Sequence, residues 1–144
     1  AAQDLGLLTS LPNVTLHGEF QRLESVAAES HFAYLHTTAW EGTPTILFDV
    51  AAARLPICAP AVGGIVDFLA SQDLIRNHED IDAFVNRLEQ LRGSATLRGE
   101  LVQRQLVSLA NERHWSSFTA TLGELEGYLA PAARINADKV VGYA

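Results

Sequence analysis

Short apolar runs bounded by turn-forming residues recur along the first half of the chain. They predict buried strands at Val14–Leu16, His31–His36 and Ile57–Ala59, with a further short strand around Leu74 and Ile75. Apolar residues also recur at helical spacing between these runs. That spacing predicts a helix over residues 21–29. Further helices are predicted over residues 44–53, where Pro44 fits a helix start, and over residues 63–69, which Gly63 and Gly64 open.

From Asp80 onward the chain shows helical spacing without strand patterns. A helix is predicted to begin near Asp80 and to break at Gly93 and Ser94, and a second helix covers residues 95–111. A third helix is predicted over residues 116–129, with Ser116 at its N-cap and Pro131 as its stop.

Strands that alternate with helices are typical of an α/β fold, with a parallel sheet and flanking helices. In such sheets ligands bind beyond the carboxyl ends of the strands. The loops that follow the first three predicted strands contain Gly18, the segment 41–43 and the pair Gly63 and Gly64. We therefore expect these three loops to emerge at one edge of the sheet.

Composition narrows the class of protein. The chain has 144 residues, 48% of them hydrophobic and 19% charged, which indicates one globular domain over residues 1–144. A net charge of -7 argues against a nucleic-acid partner. The five histidines show no metal-ligand spacing. The single cysteine, Cys58, lies in an apolar run, so we expect a buried strand position.

Candidate chemistry is concentrated between Glu41 and Asp49. Thr43 is predicted to cap a helix whose first residue is Pro44, and the amides of that first turn would attract a phosphate. The carboxylates of Glu41 and Asp49 can accept hydrogen bonds from sugar and ribose hydroxyls. A phosphate-binding turn between two carboxylates that accept hydrogen bonds from hydroxyls is the arrangement expected of a sugar-nucleotide site. The plainer interpretation of Glu41 is a solvated loop carboxylate.

This stretch resembles a known family. Glu41, Gly42, Pro44 and Asp49 are similar to the motif E-G-x-P-x-x-x-x-E-A of the carboxy-terminal, donor-binding half of group 1 retaining glycosyltransferases, which have the GT-B fold. Three further segments resemble the family's motifs N-V-x-F-x-G, G-x-P-V-V-A-x…V-G-G-I and R-F-S-W, and they are residues 13–18, 55–65 and 111–118. Asp49 replaces the usual second glutamate, which shortens its reach by about 1.5 Å.

The resemblance implies a Rossmann-like parallel sheet with flanking helices, as a partial GT-B carboxy-terminal domain. It implies that Glu41 is the catalytic residue that bonds the donor sugar, and that Asp49 binds the ribose. The other donor-binding residues it implies are Gly42, Thr43, Thr38, Gly18, His17, Gly63 and Gly64. For Gly63 and Gly64, a tight strand-to-helix turn is an equally good interpretation. The substrate would be a nucleoside diphosphate sugar, with no metal and no cofactor.

The sequence contains no methionine and lacks the basic residues near the start of the family's carboxy-terminal domain, a G-R loop and a lysine-containing turn. We expect a fragment of a cytoplasmic two-domain enzyme, inactive alone, whose other domain binds the acceptor and carries any peripheral association with the inner face of the membrane. Two alternatives stay open. One is a non-catalytic nucleotide-sugar-binding module, and the other is a GT-B sugar-nucleotide epimerase.

Overall fold

The computed structural model describes residues 2–26, 30–112 and 115–124. The chain divides into two compact units, residues 1–109 and 110–144. The strands in the described residues are β1 (Tyr34–Leu35) and β2 (Ile57–Cys58). The α-helices there are α1 (Ala2–Thr9), α2 (Ile46–Ala52), α3 (Ile65–Phe68), α4 (Ile81–Gly93), α5 (Ala95–Glu112) and α6 (Trp115–Glu124). Short 3-10 helices cover Leu23–Val26 and Ser71–Asp73.

β1 and β2 form a two-stranded parallel sheet. Tyr34 lies opposite Ile57, and its N–H donates to the Pro56 carbonyl over 2.8 Å. A single parallel bridge joins Ile75 to Pro60 on the far side of β2. The protein is therefore mixed α/β with a small parallel sheet, as the alternation of strand and helix patterns predicts. The predicted strand at residues 74–75 is reduced to that one bridge.

Both faces of β2 are buried, because alternate residues of a strand point to opposite faces. Ile57 and Ala59 belong to one apolar cluster, while Cys58 between them belongs to another. Helices α2 and α4 both pack against this strand. The first cluster also contains Leu23, Leu47, Val50, Ala51, Leu55, Ile65, Phe68, Leu69 and Leu74. The second contains Ile75, Phe84, Leu91 and Leu101.

The predicted strand Val14–Leu16 is wrong. Residues 14–20 have neither helix nor strand structure, and Leu16 is largely exposed. Pro12 and Asn13 form a turn immediately before it. The two apolar side chains of this segment are those of Val14 and Leu16, and neither is buried, so the segment gains too little from packing to hold a strand against β1.

Two predicted helices differ at their starts. The predicted helix over 21–29 is a 3-10 turn at Leu23–Val26, and residues 27–29 lie outside the described residues. Helix α2 begins at Ile46 rather than at Pro44, because the Pro44 carbonyl accepts the Leu47 N–H over 3.1 Å in a tighter turn. Thr45, not Thr43, therefore occupies the N-cap position, and it makes no side-chain cap.

The later helices follow the predicted pattern closely. Asp80 caps α4 by accepting the Ala83 N–H over 2.9 Å. Ser116 lies inside α6 rather than at its N-cap. The predicted continuation to Leu129 and the stop at Pro131 lie outside the described residues. Within the part of the chain that the structure describes, no helix has the length and apolar character that crossing a membrane requires.

Candidate functional site

Two loops meet at the carboxyl ends of the parallel strands. The Gly64 N–H, in the loop after β2, donates to the Gly42 carbonyl, in the loop after β1, over 2.8 Å. A Cβ atom added at Gly63 would overlap the carbonyl oxygen of Glu41, and one added at Gly64 would overlap the Thr43 hydroxyl. Gly63 also has a φ of 50°. Close backbone approach therefore explains why glycine stands at both positions.

This contact explains how a short sheet can position the Glu41 loop. Parallel pairing brings both strand ends to the same edge, so the loops that leave them start as neighbours. Within the first loop, the Thr38 hydroxyl donates to the Trp40 carbonyl over 2.8 Å and closes a turn just before Glu41. The Trp40 side chain is 82% exposed, which is unusual for so large an aromatic residue.

Among the described residues, each oxygen of the Glu41 carboxylate lies near one nitrogen. Its Oε1 accepts the Gly42 N–H over 3.2 Å, and its Oε2 lies 4.0 Å from Nε2 of His36. The Glu41 side chain is 37% exposed, so solvent or a ligand can reach it. A carboxylate held in this way can accept hydrogen bonds from ligand hydroxyls.

His36 is a site residue that the sequence patterns did not single out. It follows the last residue of β1, and its N–H donates to the Cys58 carbonyl over 2.9 Å. Its ring stacks on that of Tyr34, with centroids 6.2 Å apart. Burial raises the pKa of the Tyr34 phenol. The available signal was a histidine at the end of a strand that leads directly to an acidic loop.

Asp49 lies on the exposed side of α2. Its neighbours Leu47 and Val50 are buried, so the helix turns the apolar side inward and leaves the carboxylate at the surface. Phe48 packs edge-on against Phe68 with ring centroids 4.8 Å apart, which ties α2 to α3. The prediction that Asp49 is not a core residue is confirmed, and its ribose role stays a prediction.

His17 and Gly18 lie in a different setting from Glu41. They line an apolar cavity of about 520 Å³ beside β1, together with Tyr34 and Leu35. Neither Glu41 nor Asp49 is among the residues that line this cavity. The structure thus brings together Glu41, Gly42, Thr43, Gly63 and Gly64, with Thr38 in the same loop. It does not bring His17 and Gly18 into that group.

Metal ligands do not cluster in the described residues. No group of three or more histidine, cysteine, aspartate and glutamate side chains there has a geometry that could hold a metal ion.

The chain was also compared with known proteins. Protein-family models, curated proteins and solved structures give no match to it. The family resemblance of the Glu41–Asp49 stretch therefore stays a prediction from the sequence.

Proposed function

We propose that this chain supplies the donor site of a cytoplasmic retaining glycosyltransferase with the GT-B fold. The enzyme would move a sugar from a nucleoside diphosphate sugar to a hydroxyl of an acceptor bound by another domain. The observation that carries the proposal is the hydrogen bond between the Gly64 N–H and the Gly42 carbonyl. It joins the two loops that the family motifs mark and fixes the backbone beside Glu41.

The proposal gives each group a separate task. Glu41 accepts hydrogen bonds from the hydroxyls of the donor sugar, and Asp49 accepts them from the ribose. Negative charge develops on the leaving diphosphate during transfer. The proposal assigns its stabilisation to the backbone N–H groups at the start of α2, after Gly42, because preorganised donors act most strongly where charge develops.

Calorimetric titration tests the sugar-binding role of Glu41. UDP, GDP, ADP and their sugars are titrated into the chain and into the variant Glu41→Ala. One nucleotide sugar should bind saturably, and Glu41→Ala should weaken it at least about tenfold, since hydrogen bonds to a charged group are lost. Glu89→Ala is the matched control, because Glu89 is an exposed glutamate on α4. It should bind like the unmodified chain.

A second pair of variants tests the ribose role of Asp49. Asp49 and Asp82 are both exposed acids in the first turn of a helix, α2 and α4 respectively. Asp49→Ala should weaken the nucleoside diphosphate and its sugar equally, whereas Asp82→Ala should weaken neither. A folded chain that binds none of the nucleotides would contradict the proposal.

Product analysis with a longer parent chain separates transfer from the two alternatives. Transfer of the sugar to an acceptor hydroxyl supports the proposed reaction. Release of an epimerised sugar would identify an epimerase. Nucleotide-sugar binding without either product would identify a non-catalytic binding module.

A further inference from the structure

His36 combines two features that pure packing does not explain. Its side chain is only 14% exposed, and its Nε2 is buried with no hydrogen-bond partner among the described residues. Buried polar atoms are normally paired, so an orphaned ring nitrogen needs a reason. The Glu41 carboxylate lies beside it, with Oε2 at 4.0 Å from Nε2.

The surroundings hold the imidazole in place. The backbone of His36 is tied to β2 through the Cys58 carbonyl, and the ring stacks on Tyr34, two residues earlier on the same face of the strand. In the part of the chain that the structure describes, by contrast, the Glu41 carboxylate is hydrogen-bonded through one oxygen, to the N–H of its own neighbour Gly42. The fixed partner in this pair is therefore the histidine, and the adjustable partner is the glutamate.

We propose that His36 is a positioning residue for Glu41. Its Nε2 lies 4.0 Å from the second oxygen of the Glu41 carboxylate, outside hydrogen-bonding distance, and a small rotation of the glutamate would bring that oxygen into a hydrogen bond while the Gly42 N–H holds the first. With both oxygens placed, the remaining lone pairs of the carboxylate stay in one orientation for the hydroxyls of a bound sugar. This role rests on the proposed function, because Glu41 is taken as the group that bonds the donor sugar.

The pair itself is tested without any ligand. The ¹⁵N resonance of His36 Nε2 is compared at one fixed pH between the unmodified chain, Glu41→Gln and Glu89→Gln. Glu41→Gln removes the carboxylate charge beside the ring, so it should shift the Nε2 resonance. Glu89→Gln should leave the resonance in place. An unchanged resonance in Glu41→Gln would overturn the proposal.

Binding of the nucleotide sugar then tests whether His36 positions Glu41 for the sugar. His36→Phe keeps an aromatic ring against Tyr34 but removes the nitrogen, while His36→Gln restores an N–H donor at a similar reach. His36→Phe should weaken the nucleotide sugar about tenfold relative to the bare nucleoside diphosphate, since only the sugar contacts Glu41. His36→Gln should recover most of that loss. His78→Phe, at an exposed loop histidine, is the control and should change neither affinity.

The outcomes separate the two proposals. Equal weakening of the diphosphate and its sugar by His36→Phe would indicate a merely structural role and overturn the positioning role. Absence of any nucleotide binding by the unmodified chain would contradict the proposed function. The Nε2 resonance would still decide whether His36 and Glu41 act as a pair.

Discussion

Arg104 holds the buried carboxylate of Asp73 with two hydrogen bonds, from Nε over 2.7 Å and from Nη2 over 2.8 Å. The Asp73 side chain is 5% exposed, so Arg104 takes the place of the water that would solvate an exposed carboxylate. The bond to Asp73 raises the pKa of the Arg104 guanidinium above its ordinary value. The ion pair joins the 3-10 turn at Ser71–Asp73 to α5.

Removal of the Arg104 guanidinium should therefore be costly. Arg104→Met leaves a buried carboxylate unpaired, and we expect the free energy of unfolding to fall by about 3 kcal/mol in urea titrations. Asp73→Leu combined with Arg104→Met should recover most of the loss, because no buried charge remains. Arg92→Met, at an exposed arginine in the last turn of α4, is the control. A loss from Arg104→Met no larger than the control's would contradict this account.

The close contact at Gly63 gives a second prediction. Gly63 and Gly18 both have positive φ, 50° and 71°, but an added Cβ meets the Glu41 carbonyl only at Gly63 and nothing within 4 Å at Gly18. Gly18→Ala should cost about 1 kcal/mol of stability from the backbone conformation alone. Gly63→Ala should cost about 3 kcal/mol, because overlap adds to the same conformational cost. Equal losses in thermal unfolding would show that the Gly63 loop can move away from Glu41.

Arg54 occupies a position that suits glycine better. It has a φ of 59° at the end of α2, where the Arg54 N–H bonds to Ala51 and the Leu55 N–H bonds to Val50. These two bonds define a Schellman motif, whose left-handed residue is usually glycine. Arg54→Gly should raise the free energy of unfolding by about 0.5–1 kcal/mol. Ala53→Gly, one residue earlier with a φ of -73°, should lower it.

Alkaline pH should destabilise the protein through Cys58. Burial raises the pKa of the Cys58 thiol from 9.0 to about 11, against a smaller opposing effect of the Arg87 charge. The unfolded thiol ionises first, so stability is complete below pH 9 and falls as the pH rises to about 11. The difference between these two pKa values corresponds to about 3 kcal/mol of stability. Burial raises the pKa of the Tyr34 phenol too. The stability that the buried phenol contributes is therefore present below pH 10.0, the ordinary pKa of tyrosine, and is lost as the pH rises above it.

Unfolding titrations between pH 8 and 11 check this prediction. Cys58→Ala should flatten the fall in stability over the lower part of that window, and Tyr34→Phe over the upper part. The comparison uses the slope of stability against pH, because either substitution also changes packing. An unchanged slope in Cys58→Ala would contradict the prediction, because ionisation of the thiol would then not be the cause of the fall in stability.

The sequence predicted the elements whose signals are local. The periodic apolar residues of α4 and α5 and the apolar run at β2 were sufficient, because each element buries one face or both. The strand at Val14–Leu16 failed because a run of that length is decided by the neighbours available to it, not by its own residues.

The candidate site, too, could be predicted from the sequence only in part. Glu41 and the glycine pair carry recognisable motifs, but the pairing of His36 with Glu41 depends on the path of the loop between them. The pairing of Asp73 with Arg104 likewise joins two elements far apart in sequence. No spacing rule connects such residues, so only the folded chain could show them.

The hydrogen bond between Gly42 and Gly64 also has a consequence for the order of folding. Its two residues come from the loops that follow β1 and β2, with α2 and β2 between them in the chain, so the bond cannot form until these elements have docked. The Glu41 loop therefore reaches its folded conformation late, and local unfolding at this edge of the sheet disrupts it early. Protection of the Gly64 amide from solvent exchange thus reports directly on the fraction of molecules in which the loop around Glu41 is in place.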